Sequence, residues 1–431
     1  MPSKDKSDWP LPYAKPEEVG VSSARISLIR PELQRFIDGK KDPNFVSMVV
    51  RKGKIVHWEA QGYMDFESKR PVQKDTIYRL WSNTKPITGV ATMICLEEGV
   101  LTLDEPISKY IPAFKNPRVR VLDPPRTQET GRAGLLGEIP TVLANREVTI
   151  RDCLRNTTGF ATAQAAPIQY LTQYPDVFPE KRWFSGIDMT LSIEKSVEMQ
   201  ARLPLESHPG TRFDYQVGYP VVGRILEIVT GKTLGEFYEE RIFKPLKMKD
   251  SSFYLPKTKL DRFPTCYRPA RTGNDWQLAV SERPETSERV LGPRTYFEAG
   301  GGGGGVLSTV ADYARFAQML LNGGELGGER ILGRKTVQLM TSSHTHEELY
   351  IALTGPGFGF GMGVGVYKGS TPPLLRSIGT YGWSGAAGTT CIIDPKEELI
   401  WLCFTQVMMH NTMPGNTCHE EFERLVYQSL I

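Results

Sequence analysis

Strand patterns at the two ends of the chain place the strongest constraint on its fold. Phe45 to Arg51 and Ile55 to Gly62 flank a glycine-containing turn, and Thr389 to Ile393 and Leu399 to Thr405 flank the turn Asp394-Pro395-Lys396-Glu397. Apolar, β-branched runs separated by short polar turns are typical of β-hairpins. We therefore predict an α/β lobe whose strands come from both ends of the chain.

The middle of the chain has mainly helical patterns. At 431 residues the chain is longer than the roughly 250 to 300 residues at which one core stops growing, which predicts two lobes. We assign residues 1–82 and 301–431 to the α/β lobe and 83–300 to a helical lobe, with the active site between them. The predicted helices are Ser23 to Ile37, Asn83 to Glu98, Ser192 to Arg202, Gly218 to Thr230, Leu234 to Ile242, Thr309 to Leu321 and Thr417 to Ser429.

Two long segments of the predicted helical lobe have no clear periodicity. Asn116 to Asn145 is rich in proline and glycine and predicts a long loop, and Ala161 to Gly186 is similarly irregular. Long ordered loops often carry function, so we expect both segments to shape the pocket.

Charge and composition exclude several classes of partner. The chain has 52 basic and 49 acidic residues, a formal net charge of +3, which favours neither nucleic acid nor an anionic membrane as a partner. There is no apolar run long enough for a membrane span and no signal-like start, so we expect a soluble, cytoplasmic protein. Its six widely spaced cysteines predict reduced thiols.

A serine followed three residues later by a lysine is the first candidate for chemistry. On a helix the two side chains share a face, and a buried lysine can lose its proton and activate the hydroxyl. The pattern occurs three times, at Ser3, Ser192 and Ser82. The first lies in a polar arm, and Ser192 is a plausible helix N-cap with Lys195 in solvent. Only Ser82 and Lys85 lead into a strongly apolar helix, although Ser82 could also be merely a cap.

Further segments, taken with this one, resemble the serine β-lactamase and penicillin-binding-protein superfamily, and within it the class C-like carboxylesterases of family VIII. The likeness extends from about Glu17 to the C-terminus and implies a β-lactamase-like fold, with an antiparallel sheet flanked by helices plus a mainly helical lobe. The matching segments are Tyr78 to Lys85, Val148 to Leu154, Asn156 to Phe160, Pro209 to Tyr215, Gly218 to Gly231, Ile242 to Leu246, Gly300 to Thr309 and Tyr381 to Thr389.

The resemblance also implies a mechanism with an acyl-enzyme. Ser82 would be the nucleophile, Lys85 and Tyr215 would transfer protons, and the N–H groups of Ser82 and Ala386 would form the oxyanion hole. A phenol becomes a usable base only if a nearby cation lowers its pKa, and we expect Lys85 to supply that charge.

Two departures from the superfamily pattern bear on the substrate. Tyr215 is followed by Gln216 and Val217, so valine stands where asparagine is common. The third motif, commonly Lys-Thr-Gly, is Trp383-Ser384-Gly385, which replaces a cation by an aromatic ring. Gln216, Val217, Trp383, Ser384 and Gly385 are the predicted substrate contacts. The two departures favour neutral short-chain carboxylic esters as substrates.

Other motifs indicate weaker alternatives. Gly382 to Ala386 nearly matches a nucleophile elbow but has a strand pattern, and the glycine run before Val306 has no phosphate-binding lysine after it. His344 and His346 form an isolated pair in a polar stretch, more typical of a surface loop than of a metal site. No histidine lies in a recognisable triad motif. We expect no cofactor and no metal.

Three functional alternatives stay open. A β-lactam or amide hydrolase and an acyltransferase would use the same acyl-enzyme, and a non-catalytic scaffold would keep the fold without the chemistry. The expected partner is a small-molecule ester, and the oligomeric state is not predicted. Intact Ser82, Lys85 and Tyr215 favour an enzyme over a scaffold.

Overall fold

Strands from both ends of the chain share one antiparallel sheet. The computed structural model describes residues 11–121, 139–161, 191–215, 218–291, 303–346, 351 and 354–431. Its strands are β1 Asn44–Arg51, β2 Lys54–Gly62, β3 Tyr78–Arg79, β4 Arg118–Arg120, β5 Thr141–Leu143, β6 Cys266–Thr272, β7 Asp275–Glu282, β8 Leu307–Ser308, β9 Glu325–Leu326, β10 Glu329–Arg330, β11 Phe358–Phe360, β12 Gly365–Tyr367, β13 Tyr381–Gly385, β14 Thr389–Asp394 and β15 Leu399–Phe404.

The strand order explains how the two chain ends meet. Within the described residues, seven strands pair in the order β11-β12-β13-β14-β15-β1-β2, all antiparallel. The C-terminal strand β15 lies between β14 and the N-terminal strand β1, with Val46 opposite Phe404. The predicted β-lactamase-like arrangement of strands is therefore confirmed.

Helices cover both faces of this sheet, so its central strands are apolar on both sides. Phe45 and Val49 of β1 pack with one group of helices, whereas Val46 and Met48 pack on the opposite face. The helices are α1 Ser23–Ile26, α2 Ile29–Asp38, α3 Thr84–Glu97, α4 Ile150–Leu154, α5 Ile193–Ala201, α6 Gly218–Thr230, α7 Leu234–Tyr238, α8 Glu288–Leu291, α9 Val310–Leu321, α10 Arg334–Met340 and α11 Cys418–Gln428. Helices α2 and α11 pack with Phe45, and α3 and α9 lie on the other face.

Several elements differ from the sequence predictions. The helix predicted from Ser23 to Ile37 is interrupted between α1 and α2, and the one predicted to end at Ile242 continues after α7 as the π-helix Glu239–Phe243. The run before Ser82 has only two strand residues, in β3. The hairpin β6–β7 was not predicted, because proline and alternating polar residues weaken its strand pattern.

The predicted loops lie partly outside the described residues. Within the segment predicted as a loop from Asn116 to Asn145, β4 and β5 form a short antiparallel pair, which corrects that prediction at its two ends. Residues 122–138, and nearly all of 161–186, lie outside the described part, so the role expected of them stays a prediction. The lobe boundaries at residues 82 and 300 also stay predictions.

The cysteines and the helices bear on two further expectations. All six cysteines are free and buried, as predicted. None of the helices in the described ranges combines the length and the apolarity needed to cross a bilayer.

Candidate active site

Ser82 lies at a sharp junction between a short strand and a buried helix. After β3, the 3-10 turn Trp81–Asn83 leads directly into α3. Trp81 has a φ of +48°, a left-handed conformation that is strained for a bulky side chain and that clusters at functional sites. Two hydrogen bonds of the next residue hold this turn in place. Asn83 Nδ2 donates to the Thr389 carbonyl (2.9 Å), and the Tyr313 hydroxyl donates to the Asn83 carbonyl (2.8 Å).

The structure brings Ser82 and Lys85 into direct contact. Lys85 Nζ lies 3.0 Å from Ser82 Oγ, and it also donates to the Gly303 carbonyl oxygen at 2.7 Å. Both side chains are buried, Lys85 completely. Gly303 comes from the glycine-rich run, which therefore contributes a backbone carbonyl to the site. Sequence analysis did not assign that role, because a backbone acceptor leaves no side-chain signature.

Burial determines the charge state of Lys85. The pKa of Lys85 is well below its ordinary value because desolvation penalises the charged amine. The faces of Tyr215 and Tyr219 lie 4.5 and 5.2 Å from Nζ, contacts that favour the cation but do not outweigh burial. The lowered pKa favours the neutral amine, which has a lone pair for the Ser82 proton and can still donate an N–H to the Gly303 carbonyl.

The other serine–lysine pairs lack this environment. Ser192 caps helix α5 by accepting a hydrogen bond from the Lys195 backbone N–H (3.2 Å), and the Lys195 side chain is 61% exposed beside Glu198. This agrees with the prediction of a structural cap. Ser3 and Lys6 lie outside the described residues.

Tyr215 joins the site from a distant segment, and Trp383 positions it. The indole Nε1–H of Trp383 donates to the Tyr215 hydroxyl oxygen at 2.6 Å. Burial raises the pKa of Tyr215, although hydrogen bonds with Ser82 and Trp383 act in the opposite direction. The pKa of Tyr215 is thus raised and not lowered as expected, because burial penalises the phenolate. Tyr215 is therefore an acid that keeps its proton.

Strand β13 approaches the segment that contains Ser82 closely. A Cβ on Gly385 would lie 2.0 Å from the Leu80 carbonyl oxygen, so only glycine lets β13 approach the segment before Ser82 this closely. Ala386 follows directly after β13, and both Ala386 and Trp81 pack against the buried cluster of Cys266, Ala387 and Met408. This arrangement is compatible with the predicted oxyanion pair, which stays a prediction.

The predicted substrate contacts have different environments. Trp383 is buried, whereas the neighbouring Ser384 is exposed and accepts a hydrogen bond from Thr390 Oγ1 at 3.0 Å. Ser384 lies within strand β13, so the nucleophile-elbow alternative is not supported. Gln216 and Val217 lie outside the described residues, and their proposed contacts stay predictions.

An aromatic cluster forms one wall beside Tyr215. Phe360 packs edge-on against Trp383 with ring centroids 4.8 Å apart, and Phe213 stacks on Tyr215 at 6.3 Å. Ile351 completes this cluster. Sequence analysis missed Phe213, Phe360 and Ile351, because isolated apolar residues far apart in the chain do not differ from core residues.

His344, half of the histidine pair considered for a metal, has a structural role. Its ring nitrogens lie 2.8 Å from the Leu339 carbonyl oxygen and 3.0 Å from Arg151 NH1. Burial lowers the pKa of His344, which is consistent with a neutral packed imidazole. These contacts explain the residue without a metal.

Comparisons with known proteins identify the family of the chain. The family model described as Beta-lactamase matches residues 33–425. A putative D-alanyl-D-alanine carboxypeptidase of Escherichia coli (strain K12) is 28% identical over 418 residues, which are 93% of this chain and 85% of that protein. Esterase EstB of Burkholderia gladioli is 27% identical over 374 residues, 84% of this chain and 85% of the relative.

One solved structure has a similar fold over nearly its whole length. EstCE1, described as a hydrolase with promiscuous acyltransferase activity, superposes with a TM-score of 0.75 at 24% sequence identity. The superposition covers 94% of this chain and 99% of the EstCE1 chain. At this identity the likeness supports the fold alone.

Proposed function

Because the chain belongs to the beta-lactamase family, we propose that it is a serine hydrolase of neutral, short-chain carboxylic esters. The observation that carries the proposal is the buried Lys85 amine 3.0 Å from the Ser82 hydroxyl, with a pKa that desolvation lowers. A lone pair at hydrogen-bond distance from a hydroxyl is the arrangement that general-base activation of a nucleophile requires.

Acylation follows from the charge states of the three side chains. Lys85 removes the Ser82 proton as Oγ attacks the ester carbonyl carbon, and the backbone N–H groups of Ser82 and Ala386 stabilise the oxyanion. Tyr215 donates its proton to the leaving alkoxide and recovers one from Lys85. The products are the alcohol and an ester of Ser82, with the amine neutral again.

Deacylation uses the same groups in reverse. A water molecule loses a proton to the Lys85 amine as it attacks the acyl carbonyl carbon. The Ser82 oxygen then leaves and takes that proton from Lys85. The carboxylic acid is released, and the resting charge states return. An alcohol in place of water would give acyl transfer instead of hydrolysis.

The aromatic wall supports the choice of a neutral substrate. The Trp383 N–H donates a hydrogen bond to the Tyr215 hydroxyl. The remaining apolar ring stands where the superfamily commonly has a lysine. A substrate carboxylate would therefore lack a cation at this position, which favours esters over peptides with a free carboxyl end. The name of the esterase from Burkholderia gladioli supports this choice, and that of the putative carboxypeptidase supports amide hydrolysis as the alternative.

A Ser82→Ala substitution tests the proposal directly. We expect hydrolysis of p-nitrophenyl acetate and butyrate to fall by at least about 10⁴-fold, as for loss of other serine nucleophiles. Ser192→Ala is the matched control, since it changes the structural serine–lysine pair and should leave the rate unchanged. Native-level activity in Ser82→Ala would reject the proposal.

Two further assays separate the alternatives. A panel of esters of increasing acyl length, run beside a chromogenic cephalosporin, ranks ester against β-lactam hydrolysis, and faster cephalosporin turnover would favour the alternative. A fluorophosphonate probe should label Ser82, as mapped by mass spectrometry. No labelling at Ser82 together with no turnover would support the scaffold.

A further inference from the structure

A histidine, a cysteine and a second histidine lie together near the turn between strands β13 and β14. His410 begins the 3-10 turn His410–Thr412, and Cys418 and His419 are the first two residues of α11. One nitrogen or sulfur atom from each side chain lies within 4.8 Å of the other two. The two imidazoles pack edge to face, with ring centroids 4.6 Å apart.

These three side chains have donor atoms that the proposed mechanism does not use. His410 Nδ1 is buried without a hydrogen-bond partner among the described residues. A neutral imidazole has one nitrogen lone pair, as a metal requires.

The surroundings of Cys418 and His419 also suit a cation. His419 Nε2 lies 3.1 Å from the Cys403 carbonyl oxygen, the kind of backbone contact that orients a metal-binding imidazole. The buried carboxyl of Asp42 neighbours this segment, where its Oδ2 accepts a hydrogen bond from Asn416 Nδ2 at 2.8 Å, two residues before Cys418. A cation bound at the sulfur would be stabilised by that neighbouring carboxyl.

We propose that His410, Cys418 and His419 bind one Zn²⁺ ion, with a fourth position left for water. Two imidazole nitrogens and one thiolate are ligands that zinc accepts in tetrahedral geometry. On binding, two Zn–N bonds and one Zn–S bond form, and the thiol proton is released to solvent. Tetrahedral Zn²⁺ needs N–N and N–S separations of about 3.3 to 3.6 Å, so the ligand atoms, now within 4.8 Å of one another, must approach by up to about 1.5 Å. The partial exposure of His410 allows that movement and gives the ion a path from solvent.

The site adjoins the turn that contains the predicted oxyanion residue. The Met409 backbone N–H donates to the Ala386 carbonyl (2.6 Å), and that of Val407 donates to the Ala387 carbonyl (3.0 Å). A Cβ added to Gly388 would lie 3.4 Å from His410 Cδ2, so the imidazole packs directly against this turn. An ion here would tie the turn and the loop after β15 to helix α11.

Metal titration of the full chain tests the proposal without reference to its enzyme activity. After treatment with a chelator, the protein is titrated with ZnCl₂ in a calorimeter, and with CoCl₂ while thiolate-to-cobalt absorbance is recorded. We expect one Zn²⁺ per chain, displaceable by a chelator, and a cobalt–thiolate band. Since even changes to outer-shell partners cost about 10- to 100-fold in affinity, Cys418→Ser and His410→Ala should each weaken zinc binding by at least about 100-fold.

Matched variants show whether any effect is specific. Cys95→Ser changes another buried thiol, and His346→Ala changes an exposed histidine. Neither should alter the titration, and circular dichroism of the metal-free variants checks that each is folded. The proposal is overturned if the folded parent binds no zinc with saturation, or if folded Cys418→Ser and His410→Ala bind it as tightly as the parent does.

Discussion

Desolvation acts in opposite directions on the two proton-transfer residues of the site. Burial moves the pKa of Lys85 down and that of Tyr215 up, because in each case it disfavours the charged form. Both shifts favour the neutral forms, in which Lys85 has a lone pair to accept a proton and Tyr215 has a proton to donate. Neither needs a carboxylate partner for this arrangement.

These charge states predict the pH dependence of hydrolysis. Protonation of Lys85 removes the base, so kcat/KM should fall as the pH falls through the lowered pKa of Lys85. Because the pKa of Tyr215 is raised, no loss from its ionisation is expected below about pH 10. Steady-state rates measured from about pH 5 to pH 10 check this prediction. A rate that declined steadily between neutral pH and pH 9 in a folded enzyme would contradict it.

Removing the indole N–H should affect turnover more than substrate binding. Trp383→Phe keeps an aromatic wall but deletes the donor to Tyr215, which should lower kcat by about tenfold with a smaller change in KM. Trp401→Phe is the matched control, because Trp401 is a buried tryptophan packed against Phe422 of α11. Equal kcat in the two folded variants would show that the hydrogen bond has no catalytic effect.

Helix α4, which lies next to the Tyr215 segment in space, is fixed by a buried carboxylate. Asp152 is fully buried, pairs with Arg146 and Arg155, and forms a capping box with Thr149. Burial alone would raise the pKa of Asp152, but the hydrogen bonds from Arg146 and the Thr149 backbone lower it overall. Just beyond α4, the Asn156 carbonyl accepts from the Asp214 backbone N–H at 2.7 Å, adjacent to Tyr215.

Neutralising this carboxylate should destabilise the protein. Asp152→Asn leaves Arg155, whose side chain is 12% exposed, and Arg146, which is 40% exposed, without their buried countercharge, and we expect the free energy of unfolding to fall by about 3 kcal/mol in urea denaturation. Asp104→Asn is the control, since that carboxylate pairs with Arg151 but is 73% exposed, and it should change stability by less than about 1 kcal/mol. Similar losses in both variants would refute a special role for Asp152.

The lowered pKa of Asp152 also predicts how stability depends on pH. A carboxyl with a folded-state pKa below its unfolded value of about 3.9 contributes fully above that value. The contribution of Asp152 should disappear as the pH falls through its lowered folded-state pKa. Unfolding free energies of the parent and Asp152→Asn should therefore converge in acid, and a constant difference down to low pH would argue against this linkage.

At the scale of the whole molecule, the sheet joins the two ends of the chain. Strand β15 pairs with β1, and Ile431 N–H donates to the Gly20 carbonyl at 3.0 Å. Residue 431 therefore lies beside the segment that leads into helix α1.

A circular permutant tests this organisation. A flexible linker of about 12 residues would join Ile431 to Leu11, and new termini would open at the exposed turn Gly273-Asn274 between β6 and β7. We expect a folded protein with ester hydrolysis near that of the parent, measured beside its thermal unfolding midpoint. Aggregation or loss of activity would show that the original chain order is required.

The sequence by itself determined the features that depend on short-range patterns. Strand runs at both ends, most of the helices, and the position of Lys85 one helical turn after Ser82 follow from periodicity and spacing within a few residues. Resemblance added Tyr215 and Trp383 as members of the site. The nature of the substrate contact at Gln216 stays a prediction.

Only the tertiary structure decided which groups meet and how they ionise. It brought the Gly303 carbonyl to Lys85, the Trp383 N–H to Tyr215, and His410 to Cys418. It also reversed the expected pKa shift of Tyr215. The physical reason is that burial and hydrogen bonding arise from segments far apart in the chain, and desolvation by those segments outweighs the local charge pattern that a sequence displays.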